Sequence, residues 1–264
     1  MYNAKERKLE LDGISMNYIS FGKGEKNLIM IQGLNTNGIS GSANMLGFMY
    51  RIFAKDYKVH IFDRRDNIDK DITVREFASD IAFAMDKLEI RSADVLGVSQ
   101  GGMIAQYLAI DRPDLVNKLV LAVTLSRNND TVENVLNNWI EMTEKGDFKG
   151  LIKDMTYKMY SDKYIKKYKP FIPLLTVLQK PKNVSRFILI AKACLTCNTY
   201  DELDKIKCPV FVIGGRKDKV VGEKSSDEIS EKLGCKKHIY ENLGHSAYEE
   251  AKDFNQIVYD FLKS

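Results

Sequence analysis

Residues 97 to 102 read Gly97-Val98-Ser99-Gln100-Gly101-Gly102, which places Ser99 at the centre of a G-x-S-x-G pattern. A buried strand, Ala93 to Val98, is expected to run into Ser99, and a helix built on Met103 to Ile110 to leave it. That strand-turn-helix setting is what a nucleophile elbow requires. Glycine two residues before and two after the serine has a steric reason, because side chains there would collide with neighbouring elements at a cramped turn. A phosphate-binding turn is the bland alternative, but the Rossmann and P-loop glycine spacings are both missing.

A serine hydroxyl is a poor nucleophile at neutral pH and needs a neighbouring base, usually histidine. The chain has three: His60, His238 and His245. His60 falls inside the apolar run KVHIF and His238 beside KHIY, where packing accounts for both. His245 falls in Glu241-Asn242-Leu243-Gly244-His245-Ser246, a loop between the last strand and the last helix. From there a side chain can reach the carboxyl edge of a sheet, where open α/β sheets place functional groups. A carboxylate must then fix the imidazole tautomer and stabilise the imidazolium as it forms. Asp218 fits, just past the strand PVFVI in the turn GGRKDKVV, with Asp130 as the alternative one strand earlier. The bland reading of Asp218 is a surface aspartate among Arg216, Lys217 and Lys219. An attacked carbonyl also needs donors for its developing negative oxygen. The backbone amides of Gln100 and of Leu34, in the loop Gln32-Gly33-Leu34-Asn35, are the candidates.

Positioning these groups falls to alternating strands and helices. Lys8 to Leu11 and Ile14 to Ser20 read as a hairpin around Asp12-Gly13. Asn27 to Ile31 and Lys58 to Phe62 are short apolar runs, the pattern of strands covered on both faces. Phe77, Ile81, Ala84, Met85 and Leu88 share one face of an amphipathic helix. Strands at Lys118 to Thr124, Pro209 to Ile213 and Lys237 to Tyr240, with helices at Ser226 to Leu233 and Phe254 to Leu262, continue the alternation. The pattern indicates a parallel sheet with helices on both faces. It breaks at residues 126–204, which have helical periodicity throughout. The expected organisation is a core of residues 1–125 and 205–264 with a helical cap of residues 126–204 inserted between strands. Phe148, Leu151, Met155 and Met159, then Phe171, Leu174, Leu175, Val177 and Leu178, then Phe187, Ile188, Leu189 and Ile190 are its apolar positions; most should hold the cap on the core, and some should roof a pocket over Ser99.

With these residues in hand, the chain resembles capped members of the α/β-hydrolase superfamily over essentially its whole length. The resemblance rests on the Gln32-Gly33 loop, Asp63-Arg64-Arg65-Asp66, the Ser99 elbow, Asp218 in its turn, and Gly244-His245. Gln32 stands where that superfamily commonly has histidine, and Asp66 where it often has glycine. The resemblance implies an eight-stranded, mostly parallel sheet and hydrolysis without a metal or organic cofactor; it does not imply the substrate, which is expected to be a small-molecule acyl compound. The leading expectation is a serine hydrolase acting on a carboxylic ester, thioester or lactone. Carbon-carbon bond hydrolysis or acyl transfer would use the same three residues, whereas a non-catalytic ligand-binding relative usually lacks one of them.

Composition excludes other classes. Forty basic and 36 acidic residues, spread along the chain for a net charge of +4, are no nucleic-acid footprint. The lysine-rich run Lys163 to Lys169 reads as a solvated helix face. Apolar stretches of four or five residues fall far short of the roughly 20 needed for a membrane span. The charged opening MYNAKERKLELDG is no secretory signal, so a cytoplasmic location is expected. Cys194 and Cys197 form a C-x-x-C pair after a helical segment, read as a reduced, buried structural pair rather than a zinc or redox site.

Overall fold

The computed structural model describes residues 3–11 and 13–264. In chain order its elements are β1 (Lys5–Leu11), β2 (Ile14–Phe21), β3 (Lys26–Ile31), α1 (Ala43–Met49), β4 (Tyr57–Arg65), α2 (Val74–Lys87), β5 (Ala93–Val98), α3 (Gln100–Asp111) and β6 (Val116–Ala122). Then come α4 (Asp130–Glu144), α5 (Phe148–Met159), α6 (Asp162–Tyr168), α7 (Ile172–Leu178) and α8 (Val184–Cys194), followed by β7 (Val210–Gly215), α9 (Ser225–Leu233), β8 (Lys236–Tyr240), α10 (Ala247–Glu250) and α11 (Phe254–Lys263). The eight strands form one sheet in the order β1-β2-β4-β3-β5-β6-β7-β8. The β1/β2 and β2/β4 pairs are antiparallel, and every later pair is parallel. This is the α/β-hydrolase fold. Of the expected hairpin turn, Asp12 lies outside the described residues, while Gly13 adopts a φ of +82°.

The parallel strands are apolar because both faces are covered. Successive strand residues point to opposite faces. Ile29 and Ile31 accordingly pack in one core with α2 and α3, while Leu28 and Met30 pack in the other with Phe53, Phe254 and Val258. Helix α2 starts at a reciprocal capping box between Thr73 and Glu76. Helix α1, which the sequence reading passed over, is a seven-residue element with only Leu46 and Gly47 buried, so it offers little periodicity to detect.

Between β6 and β7 the chain is helical. Four of the five helices there are opened by a polar residue whose side chain accepts a backbone N–H: Asn129, Asp147, Ser161 and Asn183. Those caps satisfy otherwise orphaned amides and divide one long helical stretch into separate packed pieces. An antiparallel bridge between Arg127 and Asn198 closes the base of the segment. Among the described residues, no helix is long and apolar enough to cross a membrane.

His60 illustrates a cost of burial. It sits in β4, 3% exposed, beside the stacked rings of Tyr18 and Phe62, and among the described residues neither ring nitrogen has a hydrogen-bond partner. Desolvation, helped by the Lys58 and Arg7 charges, pushes its imidazole down to about 4. An unfolded chain protonates this group near 6.5. Its contribution to stability is therefore complete above that pH and is lost as pH falls towards 4, a total of about 3 kcal/mol. His60→Phe should flatten the acid side of the stability curve. Between pH 7 and 5 the variant is expected to lose about 2 kcal/mol less than the parent in urea unfolding, and parallel curves would refute this account.

Candidate active site

The sheet brings three of the sequence-singled residues together at its carboxyl edge. Strand β5 ends at Val98, α3 begins at Gln100, and Ser99 between them holds a φ of +54° and a ψ of −120°. A side chain on Gly97 would run into the Gly101 carbonyl, and one on Gly101 into the Ile31 carbonyl. Both glycines are thus required by backbone crossing backbone. The end of β6 and the residues just past it clamp the turn: the Ser99 amide donates to the Ala122 carbonyl at 2.8 Å, and Thr124 Oγ1 donates to the Ser99 carbonyl at 2.7 Å. A non-glycine residue held in such a conformation costs of order 1–3 kcal/mol, which the surrounding bonds must offset.

His245 arrives on the loop after β8. That loop is held on one side by the Lys217 amide donating to the Leu243 carbonyl at 2.9 Å, and on the other by the Ser246 amide donating to the Met159 carbonyl at 2.8 Å. His245 Nε2 lies 2.9 Å from Ser99 Oγ, and its Nδ1 lies 2.8 Å from Asp218 Oδ2. The second Asp218 oxygen accepts the amides of Val220 and Val221 at 2.8 and 3.0 Å. Both side chains are buried, each residue only 3% exposed. Two backbone donors fix one oxygen of the carboxylate and leave the other facing the imidazole, so the carboxylate has little freedom to turn away.

The other candidates stand elsewhere. Asp130 is the exposed first residue of α4. His60 is in the core, and His238 packs edge-on to Tyr240 with ring centroids 4.5 Å apart. Burial pushes the thiol of Cys194 up to about 12 and that of Cys197 up as well; both are free cysteines.

The loop carrying Leu34 passes directly over the serine, since a Cβ on Gly33 would lie 3.1 Å from Ser99 Cβ. Gln100 contributes more than its backbone. Its Oε1 accepts from Arg64 Nε at 3.1 Å and Nη2 at 3.0 Å, while its Nε2 donates to the Ile190 carbonyl at 2.8 Å and to Cys194 Sγ at 3.0 Å. Arg64 also donates to the Gln32 carbonyl. Burial lowers this guanidinium to about 10, opposed by the nearby Asp63 carboxylate. One buried network thereby ties the elbow, the Gln32 loop and α8 together. Its only sequence signal was a glutamine at the start of a mostly apolar helix.

A cavity of about 30 Å³ adjoins Ser99 and His245, walled by Met103, Val132, Leu136, Trp139, Met155 and Met159 among others. Met155 and Met159 belong to the apolar positions of which some were expected to roof the site; the α4 residues Val132, Leu136 and Trp139 were not singled out, although their spacing of four and three marks one helix face. Trp139 Nε1 donates to Asp154 Oδ2 at 2.8 Å, locking α4 to α5 over the cavity. A larger cleft of about 370 Å³ lies alongside and shares Gly33, Leu34, Met155, Met159 and Tyr248 with the inner cavity. Among the described residues, Glu249 is the only Asp, Glu, Lys or Arg on either set of walls. Its carboxyl, hydrogen-bonded by Tyr160, is held above the usual carboxylate range by its desolvating surroundings. Phe171, Leu174 and Val177, expected to pack the segment down, instead stand exposed.

Comparison with known proteins agrees with this architecture. A family model described as the alpha/beta hydrolase fold matches residues 26–154. The chain is 24% identical to a 2-hydroxy-6-oxononadienedioate/2-hydroxy-6-oxononatrienedioate hydrolase from a Pseudomonas species, covering 96% of this chain and 93% of the relative. It is 27% identical to a pimeloyl-[acyl-carrier protein] methyl ester esterase from Neisseria meningitidis serogroup B, covering 72% and 77% of the two chains. Among solved structures, the enol-lactonase from Burkholderia xenovorans superposes with a TM-score of 0.85 at 19% identity, covering 98% of this chain and 100% of that one. At that identity the last likeness is one of fold.

Proposed function

We propose that this chain, which belongs to the α/β-hydrolase superfamily, is a serine hydrolase that cleaves an uncharged carboxylic ester, thioester or lactone through an acyl-enzyme on Ser99. The observation that carries this reading is the unbroken hydrogen-bonded line from Asp218 through His245 to Ser99. In this mechanism Ser99 Oγ attacks the carbonyl carbon as His245 Nε2 takes its proton. Asp218 holds the Nδ1 proton and stabilises the imidazolium. The Leu34 and Gln100 amides receive the oxyanion, a contribution typically worth roughly 3–4 kcal/mol of barrier per donor. His245 then returns the proton to the leaving oxygen or sulfur as the acyl–heteroatom bond breaks. Water, deprotonated by His245, attacks the acyl-enzyme and releases the acid and free Ser99. The helical segment of residues 126–204 serves as the cap over this site, on the core formed by residues 1–125 and 205–264.

Substrate charge follows from the walls. Among the described residues, neither cavity presents a lysine or arginine, and the outer cleft presents Glu249. A carboxylate-bearing substrate would lose its hydration there with no cation to replace it. That argues against the second reading, hydrolysis of a carbon–carbon bond beside a ketone, in the form suggested by the dicarboxylate named for the Pseudomonas relative. The inner cavity is apolar, and its two methionines are flexible enough to yield to an acyl chain.

Two measurements test this. A fluorophosphonate probe should modify the protein once, on Ser99, as mapped by peptide mass spectrometry; an adduct on another serine would overturn the assignment. With p-nitrophenyl esters, kcat/KM should rise from acetate to butyrate or hexanoate by up to roughly fourfold per methylene and then decline. A hemisuccinate ester should be at least about tenfold poorer than the butyrate. Acetate as the best substrate, or hemisuccinate equal to butyrate, would reject the substrate class while leaving the serine chemistry standing.

A further inference from the structure

We propose that the face formed by α1, α6 and α7 docks on an anionic lipid surface, with the mouth of the outer cleft opening against it. The sequence from Lys163 to Lys182 holds Lys163, Lys166, Lys167, Lys169, Lys180 and Lys182 and no acidic residue, in a chain whose overall charge is only +4. All six lysines are exposed. Between the two lysine groups, Phe171, Leu174, Val177 and Leu178 are 58%, 55%, 71% and 64% exposed. Lone exposed apolar residues are ordinary, but four within eight residues, bracketed by cations, are not.

The apolar face continues across the cleft. Met45 and Phe48 of α1 are also exposed, and Met45 and Leu178 stand on walls of the same cleft. The two sides are fastened together: Asn37 Nδ2 donates to the Lys180 carbonyl at 3.1 Å, and the Lys182 amide donates to Asn37 Oδ1 at 2.9 Å. Two of these six exposed apolar side chains, Met45 and Leu178, therefore stand on the cleft wall, and Asn37 on the same wall holds the backbone at Lys180 and Lys182. Apolar groups that enter the acyl boundary while lysines meet anionic headgroups are the chemistry of an interfacial surface. A lipid surface answers both features at once, its headgroups meeting the lysines and its acyl boundary the exposed apolar side chains beside the cleft. Surface docking needs no spanning helix.

The docking does not depend on the chemistry at Ser99, and its test does not use turnover. Full-length protein is floated with vesicles of phosphatidylcholine alone or with about a third phosphatidylserine, at low and high salt. Binding should be at least about tenfold stronger to the anionic vesicles and should weaken as salt screens the lysines. Leu174→Asp with Val177→Asp, and separately Lys166→Glu with Lys167→Glu, should each reduce partitioning at least about tenfold while unfolding temperatures stay within a few degrees of the parent. Ser99→Ala should bind as the parent does. The proposal is overturned if anionic vesicles capture no protein, if the two vesicle types bind alike, or if neither double variant weakens binding. Sedimentation supplies the competing outcome: a parent dimer that Leu174→Asp with Val177→Asp dissolves would assign the face to a second copy instead.

Discussion

Ser99→Ala is expected to lower kcat for ester hydrolysis by at least about 10³-fold and to abolish fluorophosphonate labelling, with the fold intact. Among the described residues, the imidazole of His245 reaches no other hydroxyl, and the thiol next to the cavity, Cys194, is held protonated by burial and engaged by Gln100. Alanine keeps the Cβ, so the backbone strain at φ +54° remains and stability should scarcely change. Ser99→Gly separates the two roles of the position. It should be equally inactive yet about 1 kcal/mol more stable than Ser99→Ala, because glycine enters the left-handed region without steric cost. A variant without the hydroxyl that retains more than a few per cent of parental kcat, in protein free of contaminating esterase, would remove Ser99 from the mechanism. Equal stability of the alanine and glycine variants would mean that the elbow stores no strain.

The parts of the fold and site that could be read from sequence are those fixed by local rules. Glycine at 97 and 101 was legible because the crossing backbones leave no room for a side chain, and the strands were legible because burial on both faces makes them apolar runs. The loop position of His245 followed from the strand before it and the helix after it. What escaped depended on contacts between distant segments. Arg64 meets Gln100 across 36 positions, and Gln100 meets Ile190 across 90; no spacing rule reports such a meeting. The wall formed by Val132, Leu136 and Trp139 had a visible period, but periodicity marks a buried face without saying what faces it. The outward set Phe171, Leu174 and Val177 failed for the opposite reason: apolar spacing implies burial only where a neighbouring element supplies the cover.

Asp218→Asn is the sharper test of how the site works, because it changes one atom and leaves packing alone. The two amides of Val220 and Val221 require an acceptor at Oδ1, so the asparagine carbonyl should settle there and its NH₂ should replace Oδ2 opposite the imidazole. An NH₂ at that point donates to Nδ1 and forces the ring proton onto Nε2. His245 then faces Ser99 Oγ with a donor where the reaction needs an acceptor. The expected result is a loss of about 10³- to 10⁴-fold in kcat with KM nearly unchanged, since the defect lies in proton transfer rather than substrate contact. The opposite amide orientation offers no escape, because it would place NH₂ against two backbone N–H groups. Asp130→Asn supplies the control. That carboxylate is exposed in the first turn of α4, where losing its charge costs at most about 1 kcal/mol of helix stability and leaves His245 untouched. Steady-state kinetics on the two variants decides between the positions: a silent Asp218→Asn beside a crippled Asp130→Asn would move the acid one strand earlier, and two silent variants would mean that Ser99 and His245 work without a carboxylate partner.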